Sequence, residues 1–224
     1  SFSVNISSLM PNTNYYVRAY ATNEAGTAYS NQQVFFTTDA VQPCAGIPYI
    51  YDADGNEYPT VQIANQCWMA QNLRTSKLND NTPIIGSLDN SSWSVETQAA
   101  FSVYPFASLP GYSSEEQVAD DFGYLYNFAA ANNRNLCPAG WHVSTNAEWH
   151  SLAAYLGDNP SNKLRETGTD FWTAPNSNAT NVTGFNGRGA GYRSNSGDYL
   201  GVKNLGVWWT SSSYSSTLAF SWGL

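Results

Sequence analysis

The sequence predicts an α+β protein in two parts, a partial β-sandwich followed by a loop-rich mixed α/β domain with few helices. Three observations support this fold class. Apolar and polar residues alternate through residues 1–38, as they do in half-buried strands. One stretch near the middle of the chain carries the start, the apolar stripe and the stop of an amphipathic helix. The rest of residues 44–224 combines short strand patterns with long stretches rich in Asn, Ser and Gly.

The N-terminal part, residues 1–38, is predicted to consist of strands joined by turns. The segments SFSVNISSL and NYYVRAYAT alternate between apolar and polar residues, and QQVFFTT follows a predicted turn, NEAGTAYSN, at residues 23–31. Three strands of this length bury little apolar surface, so we expect them to belong to a larger sandwich. Residues 39–43 are assigned as a linker to the second domain, 44–224.

The second domain opens with a predicted β-hairpin in the segment YIYDADGNEYPTVQIANQCWMAQNLR. Its turn lies at Asp54 and Gly55, a dipeptide typical of hairpins. Asp52, Asp54 and Asn56 resemble the start of a calcium loop, but the positions that take Gly and Glu in such a loop hold Glu57 and Ile63. We therefore expect a polar turn and assign no metal and no cofactor. Calcium is compatible with the acidic composition, although no spacing demands it.

The predicted helix lies in GWHVSTNAEWHSLAAYLG, residues 140–157. Thr145 and Glu148 have the spacing of a capping box, and Gly157 supplies the stop. The apolar residues between them fall at i, i+3, i+4 and i+7 and form one buried stripe, made of Trp149, Leu152, Ala153 and Leu156. Trp141 and Trp149 are expected to anchor the core.

Both histidines of the chain lie in this stretch, which raises the question of a metal or catalytic site. His142 precedes the cap and His150 lies within the helix, on a face that can reach solvent. A zinc-protease helix needs two histidines at i and i+4 with a Glu between them, and that spacing is absent. Structural histidines are the favoured interpretation.

Three cysteines, Cys44, Cys67 and Cys137, are separated by 23 and 70 residues, without a Cys-x-x-Cys pair. Neither a zinc ribbon nor a thioredoxin-like site is supported. The favoured interpretation is a disulfide between Cys44 and Cys67, which leaves Cys137 unpaired. Three buried thiols in a cytosolic protein remain the alternative.

Composition and charge narrow the classes of partner. Seventeen acidic residues stand against nine Lys and Arg, which gives a net charge of −8 and disfavours nucleic acid. Only 12% of residues are charged, about half the usual share. No apolar run approaches the length that crosses a membrane as a helix. A low charge content with many Asn, Ser, Thr and Tyr is typical of exported, surface-displayed proteins, so we expect an extracellular or bacterial cell-surface location.

The first part resembles the last three strands of a fibronectin type III domain. The resemblance is carried by LMPNTNYYVRAYATNEAGTAYSNQQVFFTT, in which Leu9, Pro11, Thr13 and Tyr15 match the tyrosine-corner pattern. It covers less than half of such a domain. We therefore expect further residues of the sandwich to precede Ser1.

The second part resembles the Fibrobacter succinogenes major paralogous domain, a module common in secreted and surface proteins of Bacteroidetes-type bacteria. Six ordered blocks carry the resemblance: DADGNEYPTVQIANQCWMAQNLR, GYLYNFAAA, LCPAGWHVSTNAEWHSLAAYLG, KLRETGTDFW, NVTGFNGRGAGYR and GVWWTSSSYSSTLAFSW. The block WHVSTNAEWHSL is also similar to the formylglycine-generating fold, a relative of C-type lectins. The resemblance implies a C-type-lectin-like domain. It also implies a later strand carrying a Cys, beyond Leu224, so that the domain is C-terminally incomplete and Cys137 lacks its partner.

We expect a binding surface in the region from Gly189 to Trp222, where aromatic residues alternate with Ser, Asn and Gly. Tyr and Trp give a large contact area at low entropic cost, while Ser and Asn adapt their hydrogen bonds. Flat aromatic faces also suit sugar rings. The candidate ligand-binding residues are Tyr192, Arg193, Asn195, Tyr199, Trp208, Trp209, Tyr214 and Trp222.

The alternative for these tryptophans is that they fill the hydrophobic core and do not contact a ligand. Trp208 and Trp209 are adjacent on a probable strand and point to opposite faces, so at least one should be buried. Tyr192, Arg193, Asn195 and Tyr199 lie in a Gly-bounded segment and are predicted to form an exposed loop.

The sequence thus favours a non-enzymatic, exported adhesion module for a glycan or protein ligand, with the fibronectin-like strands as spacer. A structural subunit that self-assembles at the cell surface is the first alternative. An enzyme of the formylglycine-generating type is the second. That chemistry needs a late pair of thiols, and no Cys follows residue 137. Glycoside hydrolysis needs paired carboxylates, and adjacent acidic residues occur at Glu115–Glu116 and Asp120–Asp121, but a solvated loop is the favoured interpretation of such pairs.

Overall fold

The computed structural model describes residues 14–36, 41–215 and 218–224. The chain divides into two compact units, Ser1–Gln42 and Pro43–Leu224. The described residues form a mixed α+β structure in which the sheets are small, of two or three strands, and the helices are few and short. The predicted linker at 39–43 lies partly outside the described residues.

The bounds of the elements are as follows. The strands are β1 (Asn14–Val17), β2 (Tyr20–Asn23), β3 (Gly26–Tyr29), β4 (Gln33–Phe36), β5 (Tyr49–Tyr51), β6 (Glu57–Ile63), β7 (Gln66–Met69), β8 (Phe101–Ser102), β9 (Leu125–Tyr126), β10 (Tyr192–Arg193), β11 (Tyr199–Leu200), β12 (Val207–Ser213) and β13 (Ala219–Gly223). The helices are α1 (Asn90–Val95), α2 (Glu115–Phe122), α3 (Phe128–Ala131), α4 (Asn146–Leu156) and α5 (Pro160–Leu164), with a 3₁₀ turn at Phe106–Ser108.

In the described part of the first unit, two antiparallel pairs are present, β1 with β4 and β2 with β3. The prediction of a turn over 23–31 is wrong, because strand β3 lies inside it. A short turn after Asn23 lets β3 fold back on β2, and the pair gains a hydroxyl contact of 2.8 Å between Thr22 and Thr27. The first predicted strand, SFSVNISSL, and the tyrosine-corner residues Leu9, Pro11 and Thr13 lie outside the described residues.

The second unit begins with a three-stranded antiparallel sheet, in the order β5-β6-β7. The hairpin predicted at Asp54 and Gly55 is confirmed, since β5 pairs with β6 and the Gly55 N–H donates to the Asp52 carbonyl at 3.1 Å. Gly55 has a φ of 83°, which favours glycine. A second turn at Ala64 and Asn65 joins β6 to β7. No Gly marks it, and the sequence did not reveal it.

The disulfide between Cys44 and Cys67 is confirmed, with a Cα–Cα distance of 5.7 Å. It ties the segment before β5 to strand β7. Cys137 is a free, buried thiol.

Helix α4 follows the prediction closely. Thr145 is its N-cap, and the reciprocal capping box with Glu148 is present. Gly157 ends the helix with a φ of 66°. Trp149 and Leu152 are buried, while Ala153 of the expected stripe is only half-buried.

The largest hydrophobic cluster packs around α4. Trp149 is 2% exposed and lies between two other indole rings, stacked on Trp222 at 5.6 Å and tilted against Trp68 at 4.8 Å between ring centroids. Phe185 and Trp208 complete this group. We call Trp68, Trp149, Phe185, Trp208 and Trp222 the aromatic core. Aromatic side chains bury about 150–250 Å² each, so this group dominates the packing of the unit.

Two smaller clusters extend the core to the other helices. One packs Val118 and Phe122 of α2 against Tyr104, and the other packs Ala130 of α3 against Leu78. Among the described residues, no helix is both long enough and apolar enough to span a membrane.

Candidate functional site

The second unit contains a cavity of about 1250 Å³. Ligand pockets usually measure about 300–1000 Å³, so this space is large for one domain. Its wall is mostly apolar and aromatic, with several Asn and Gln side chains and few charges. The wall is built from segments that are far apart in sequence: β7, α1, β9, the segment before α4, the β10–β11 region and β12.

Four members of the aromatic core line the cavity, and we call them its floor: Trp68, Trp149, Phe185 and Trp208. The Trp208 indole N–H donates to the Asn72 side-chain oxygen at 2.9 Å, which fixes the ring. Trp208 is half-buried and packs against this cluster, so the prediction that at least one of the adjacent pair is buried in the core is met only in part.

The rim of the cavity carries exposed aromatic rings. Trp209 is 37% exposed and Tyr192 is 38% exposed, and Asn195 beside them is also exposed. The Trp209 indole N–H donates to the Tyr126 carbonyl at 2.8 Å, and its ring lies 5.5 Å from Phe128. We call Tyr192, Asn195 and Trp209 the rim residues.

Tyr192 and Asn195 belong to an antiparallel hairpin, β10–β11, rather than to the irregular loop that the sequence predicted. Tyr192 pairs with Leu200, and Arg193 pairs with Tyr199. The tip turns at Gly197, whose φ is 92° and whose N–H donates to the Ser194 carbonyl at 3.0 Å. A turn of this kind needs no apolar pattern, which is why the alternation rule missed it.

The hairpin is docked on helix α1. Arg193 Nη2 donates to the Leu88 carbonyl at 2.9 Å and to the Asn90 side chain at 3.3 Å, while Arg193 Nε donates to the Gly197 carbonyl at 3.0 Å. The Trp93 indole N–H donates to the Ser194 carbonyl at 2.9 Å. Segments about one hundred residues apart are therefore joined at one wall of the cavity.

The Arg193 guanidinium packs against two aromatic rings. Its Cζ is 4.4 Å from the Trp93 ring centroid and 4.8 Å from that of Tyr199. Cation–π contacts of this kind stabilise a partly desolvated cation.

Five of the eight predicted ligand-binding residues line this one cavity: Tyr192, Arg193, Asn195, Trp208 and Trp209. The other three do not line it. Tyr199 packs under Arg193 and against Tyr104, Tyr214 lies at the end of β12 with 68% exposure, and Trp222 stacks in the aromatic core with its N–H donated to Asn146.

Sequence reasoning missed several residues of the cavity wall. Helix α1 supplies Trp93, and its only local signal is Asp89, whose side chain accepts from the Ser92 N–H at 2.7 Å as an N-cap. Trp141, expected in the core, instead lies half-buried in this wall. Tyr126 joins it through strand β9.

His142 and Glu148 also lie at the cavity. His142 Nε2 is 3.0 and 3.1 Å from the two Glu148 carboxylate oxygens. Burial favours a higher pKa for Glu148, but hydrogen bonds from the Thr145 backbone, the Thr145 hydroxyl and His142 outweigh it and lower the pKa. Glu148 therefore stays ionised as part of the helix cap. His150 is exposed, and its ring packs edge-to-face with the Trp222 ring at 5.2 Å between centroids.

Cys137 lines the cavity but is poorly suited to nucleophilic chemistry. Burial raises the pKa of its thiol to about 12. The reactive species of cysteine is the thiolate, and at neutral pH this group is a thiol.

The carboxylates of the polar turn after β5 are hydrogen-bonded or ion-paired within the protein. Asp52 accepts from the backbone N–H groups of Asp54 and Asn56, at 2.9 Å each, and from the Tyr58 hydroxyl at 2.6 Å. Asp54 pairs with Lys77 at 3.1 Å. Within the described ranges, no three His, Cys, Asp or Glu residues are grouped so that they could hold a metal ion.

The paired acidic residues have structural partners or mark a helix start. Asp121 accepts from the Tyr112 hydroxyl at 2.8 Å and lies 3.4 Å from Arg188, and Asp120 lies 3.3 Å from Arg74. Glu115 and Glu116 form the first turn of α2, where negative charge is favourable.

The chain matches the family model of the Fibrobacter succinogenes major domain over residues 61–224. Searches of curated proteins and of solved structures found no match. The family match begins within strand β6, includes helix α4 and most of the cavity wall, and agrees with the resemblance that the sequence blocks carry. The chain therefore belongs to the Fibrobacter succinogenes major domain family.

Proposed function

We propose that this chain is a non-enzymatic, exported binding module that recognises a glycan or protein ligand at the bacterial cell surface. The observation that carries the proposal is the rim: two exposed aromatic rings, Tyr192 and Trp209, and the exposed amide of Asn195 line one large cavity. Exposed aromatic rings at the mouth of a mostly apolar cavity are typical of binding sites.

The chemistry of the rim favours a ligand with apolar faces and polar edges. A flat ring can stack on the C–H face of a sugar, while a neighbouring amide donates to and accepts from its hydroxyls. Tyrosine and asparagine side chains also suit protein recognition, because tyrosine gives a large contact area and asparagine adapts its hydrogen bonds. The few charges of the wall favour a neutral ligand.

The disulfide supports export. Disulfides form and persist in oxidising compartments and are rare in the cytosol. It ties Cys44 to Cys67 within the second unit, so the domain that carries the cavity is the one adapted to such a compartment.

We further propose that the first unit belongs to a fibronectin type III-like spacer and that the second has a C-type-lectin-like fold. The antiparallel pairs β1–β4 and β2–β3 support the first assignment. Short sheets, few helices and long connections support the second. A spacer holds a recognition domain away from the surface, which suits adhesion.

The absence of catalysis is part of the proposal. The elevated pKa of Cys137 argues against a nucleophile, and the partners of Asp120 and Asp121 argue against a free carboxylate pair. Self-assembly into a surface filament remains the competing function.

The test is binding of the chain to a broad glycan panel, with calcium and again with a chelator. We expect saturable binding to at least one neutral glycan, and Tyr192→Ala should weaken it by about tenfold, as expected for the loss of a stacking contact. Tyr214→Ala is the matched control, because Tyr214 is an exposed tyrosine outside the cavity.

Two outcomes would redirect the proposal. No glycan binding under either condition would favour a protein ligand, and a mass in solution that rises with concentration would favour assembly. Equal loss in Tyr192→Ala and Tyr214→Ala would contradict the assignment of the rim.

A further inference from the structure

The wall that carries Tyr192 and Asn195 is held in place by a compact set of contacts around Arg193. These contacts link hairpin β10–β11 to α1 and to the residues just before it. The guanidinium serves three acceptors, the carbonyls of Leu88 and Gly197 and the side chain of Asn90. Two of the three lie on the α1 side and one lies on the hairpin itself. Arg193 therefore joins both elements with one rigid group.

The nitrogen atoms of Arg193 leave little for a ligand. Nε and Nη2 donate to the protein, and Nη1 is buried, without a hydrogen-bond partner in the protein and out of reach of solvent. The rings of Trp93 and Tyr199 pack against the guanidinium, with their centroids 4.4 and 4.8 Å from Cζ. Arg193 lines the cavity, but its donors are enclosed.

A close backbone approach adds to the docking. A Cβ atom placed on Gly197 would lie 2.6 Å from Asn90 Cα and 2.7 Å from Asn90 Cβ. Only glycine lets the tip of the hairpin rest on the start of α1 at this distance. The Trp93 indole N–H, which donates to the Ser194 carbonyl at 2.9 Å, adds a second contact between α1 and this hairpin.

We propose that Arg193 is a positioning residue for the binding site and not a ligand contact: it docks hairpin β10–β11 on helix α1 so that Tyr192 and Asn195 face the cavity. The statement about ligands rests on the proposed function, whereas the docking itself does not. Lysine cannot replace arginine here, because an ammonium lacks the planar fork that reaches several acceptors and packs on aromatic rings.

The test compares Arg193→Lys with Tyr192→Ala by amide hydrogen exchange and by binding. For Arg193→Lys we expect exchange to rise by about tenfold in residues 191–200 and in α1, since local opening sets the rate. Strand β6, in the sheet at the start of the unit, is the internal reference and should keep its protection. Tyr192→Ala, which removes an exposed ring, should leave exchange in both segments unchanged.

The binding measurement uses cellohexaose, xylohexaose and mannohexaose as probes. Arg193→Lys should weaken the binding of whichever probe the wild type binds, and the same variant should show faster amide exchange in the hairpin. Tyr192→Ala should also weaken binding, but it should leave the exchange rates unchanged. Trp93→Phe keeps the ring over Arg193 but removes the donor to Ser194, and it should give a smaller rise in exchange in the same segments.

Each outcome decides the proposal. Unchanged exchange in Arg193→Lys would overturn it, and so would a rise that includes β6, because Arg193 would then support the whole unit. Weakened binding with unchanged exchange would make Arg193 a direct contact. If no hexasaccharide binds the wild type, the glycan function fails, while the exchange data still test the docking.

Discussion

The floor and the rim of the cavity are both built from aromatic residues, but the floor is packed into the core and the rim is exposed. In the aromatic core, Trp149 and Trp222 stack on one another, and the indole N–H groups of Trp208 and Trp222 are donated to Asn side chains. At the rim, Trp209 and Tyr192 keep more than a third of their surface exposed. An aromatic residue in a sequence therefore does not reveal its role. Its burial in the folded structure does.

The largest expected effect comes from the floor. Replacing Trp149 with Ala should lower the free energy of unfolding by about 3–5 kcal/mol, because it empties the space between two indole rings and a phenyl ring. Urea unfolding followed by circular dichroism measures the loss. A cost below about 1 kcal/mol, which is typical of a surface substitution, would erase the distinction between floor and rim.

The disulfide should have the next largest effect on the second unit. The bridge closes a loop of 23 residues, and loops of this size stabilise by about 3 kcal/mol in the chain-entropy description. Reduction with dithiothreitol should lower the thermal midpoint of the wild type. The double variant Cys44→Ser/Cys67→Ser should start at that lower midpoint and show no further change on reduction. A midpoint insensitive to both would contradict the role of the bridge.

The neighbours Trp208 and Trp209 give the sharpest internal comparison, since they are adjacent in sequence and face opposite ways. Trp208→Ala should destabilise by about 3 kcal/mol, as a half-buried ring lost from the core, and Trp209→Ala by about 1 kcal/mol. Ligand affinity should show the opposite order. Equal losses of unfolding free energy in the two variants would contradict the different roles assigned to Trp208 and Trp209.

The smallest expected effect is the pH dependence of the α4 cap. Because the folded pKa of Glu148 is lowered, its contribution to stability is present above the ordinary carboxyl pKa and is lost as the pH falls through the lowered value. Urea midpoints from pH 7 to pH 3 should fall less steeply in Glu148→Gln than in the wild type. Identical slopes would show that the carboxylate adds nothing to the cap.

The elements that were predicted correctly from the sequence are those that depend on residues close together in the chain. The capping box of Thr145 and Glu148, the stop at Gly157 and the turn at Gly55 each depend on residues a few positions apart. Strand β3 was missed because the short turn before it carries no strong signal of its own. The disulfide between Cys44 and Cys67 was the favoured interpretation of the three cysteines, and the structure confirms it.

The candidate site was predictable only in part, because it is not local. Five of the predicted residues meet at the cavity, since the region from Gly189 to Trp222 folds back along it. The wall from α1, with Trp93, and the docking role of Arg193 arise from contacts across about one hundred residues. No pattern in a single sequence encodes such a contact, whereas the family match rests on residues 61–224 as a whole.

The central claim, that the rim binds ligand while the floor only supports it, is tested most directly by titrating the strongest panel glycan into three variants. Tyr192→Ala and Trp209→Ala should each weaken binding by about tenfold, with unfolding midpoints close to that of the wild type. Tyr214→Ala should bind as the wild type does. Unchanged affinity in both rim variants would contradict the account.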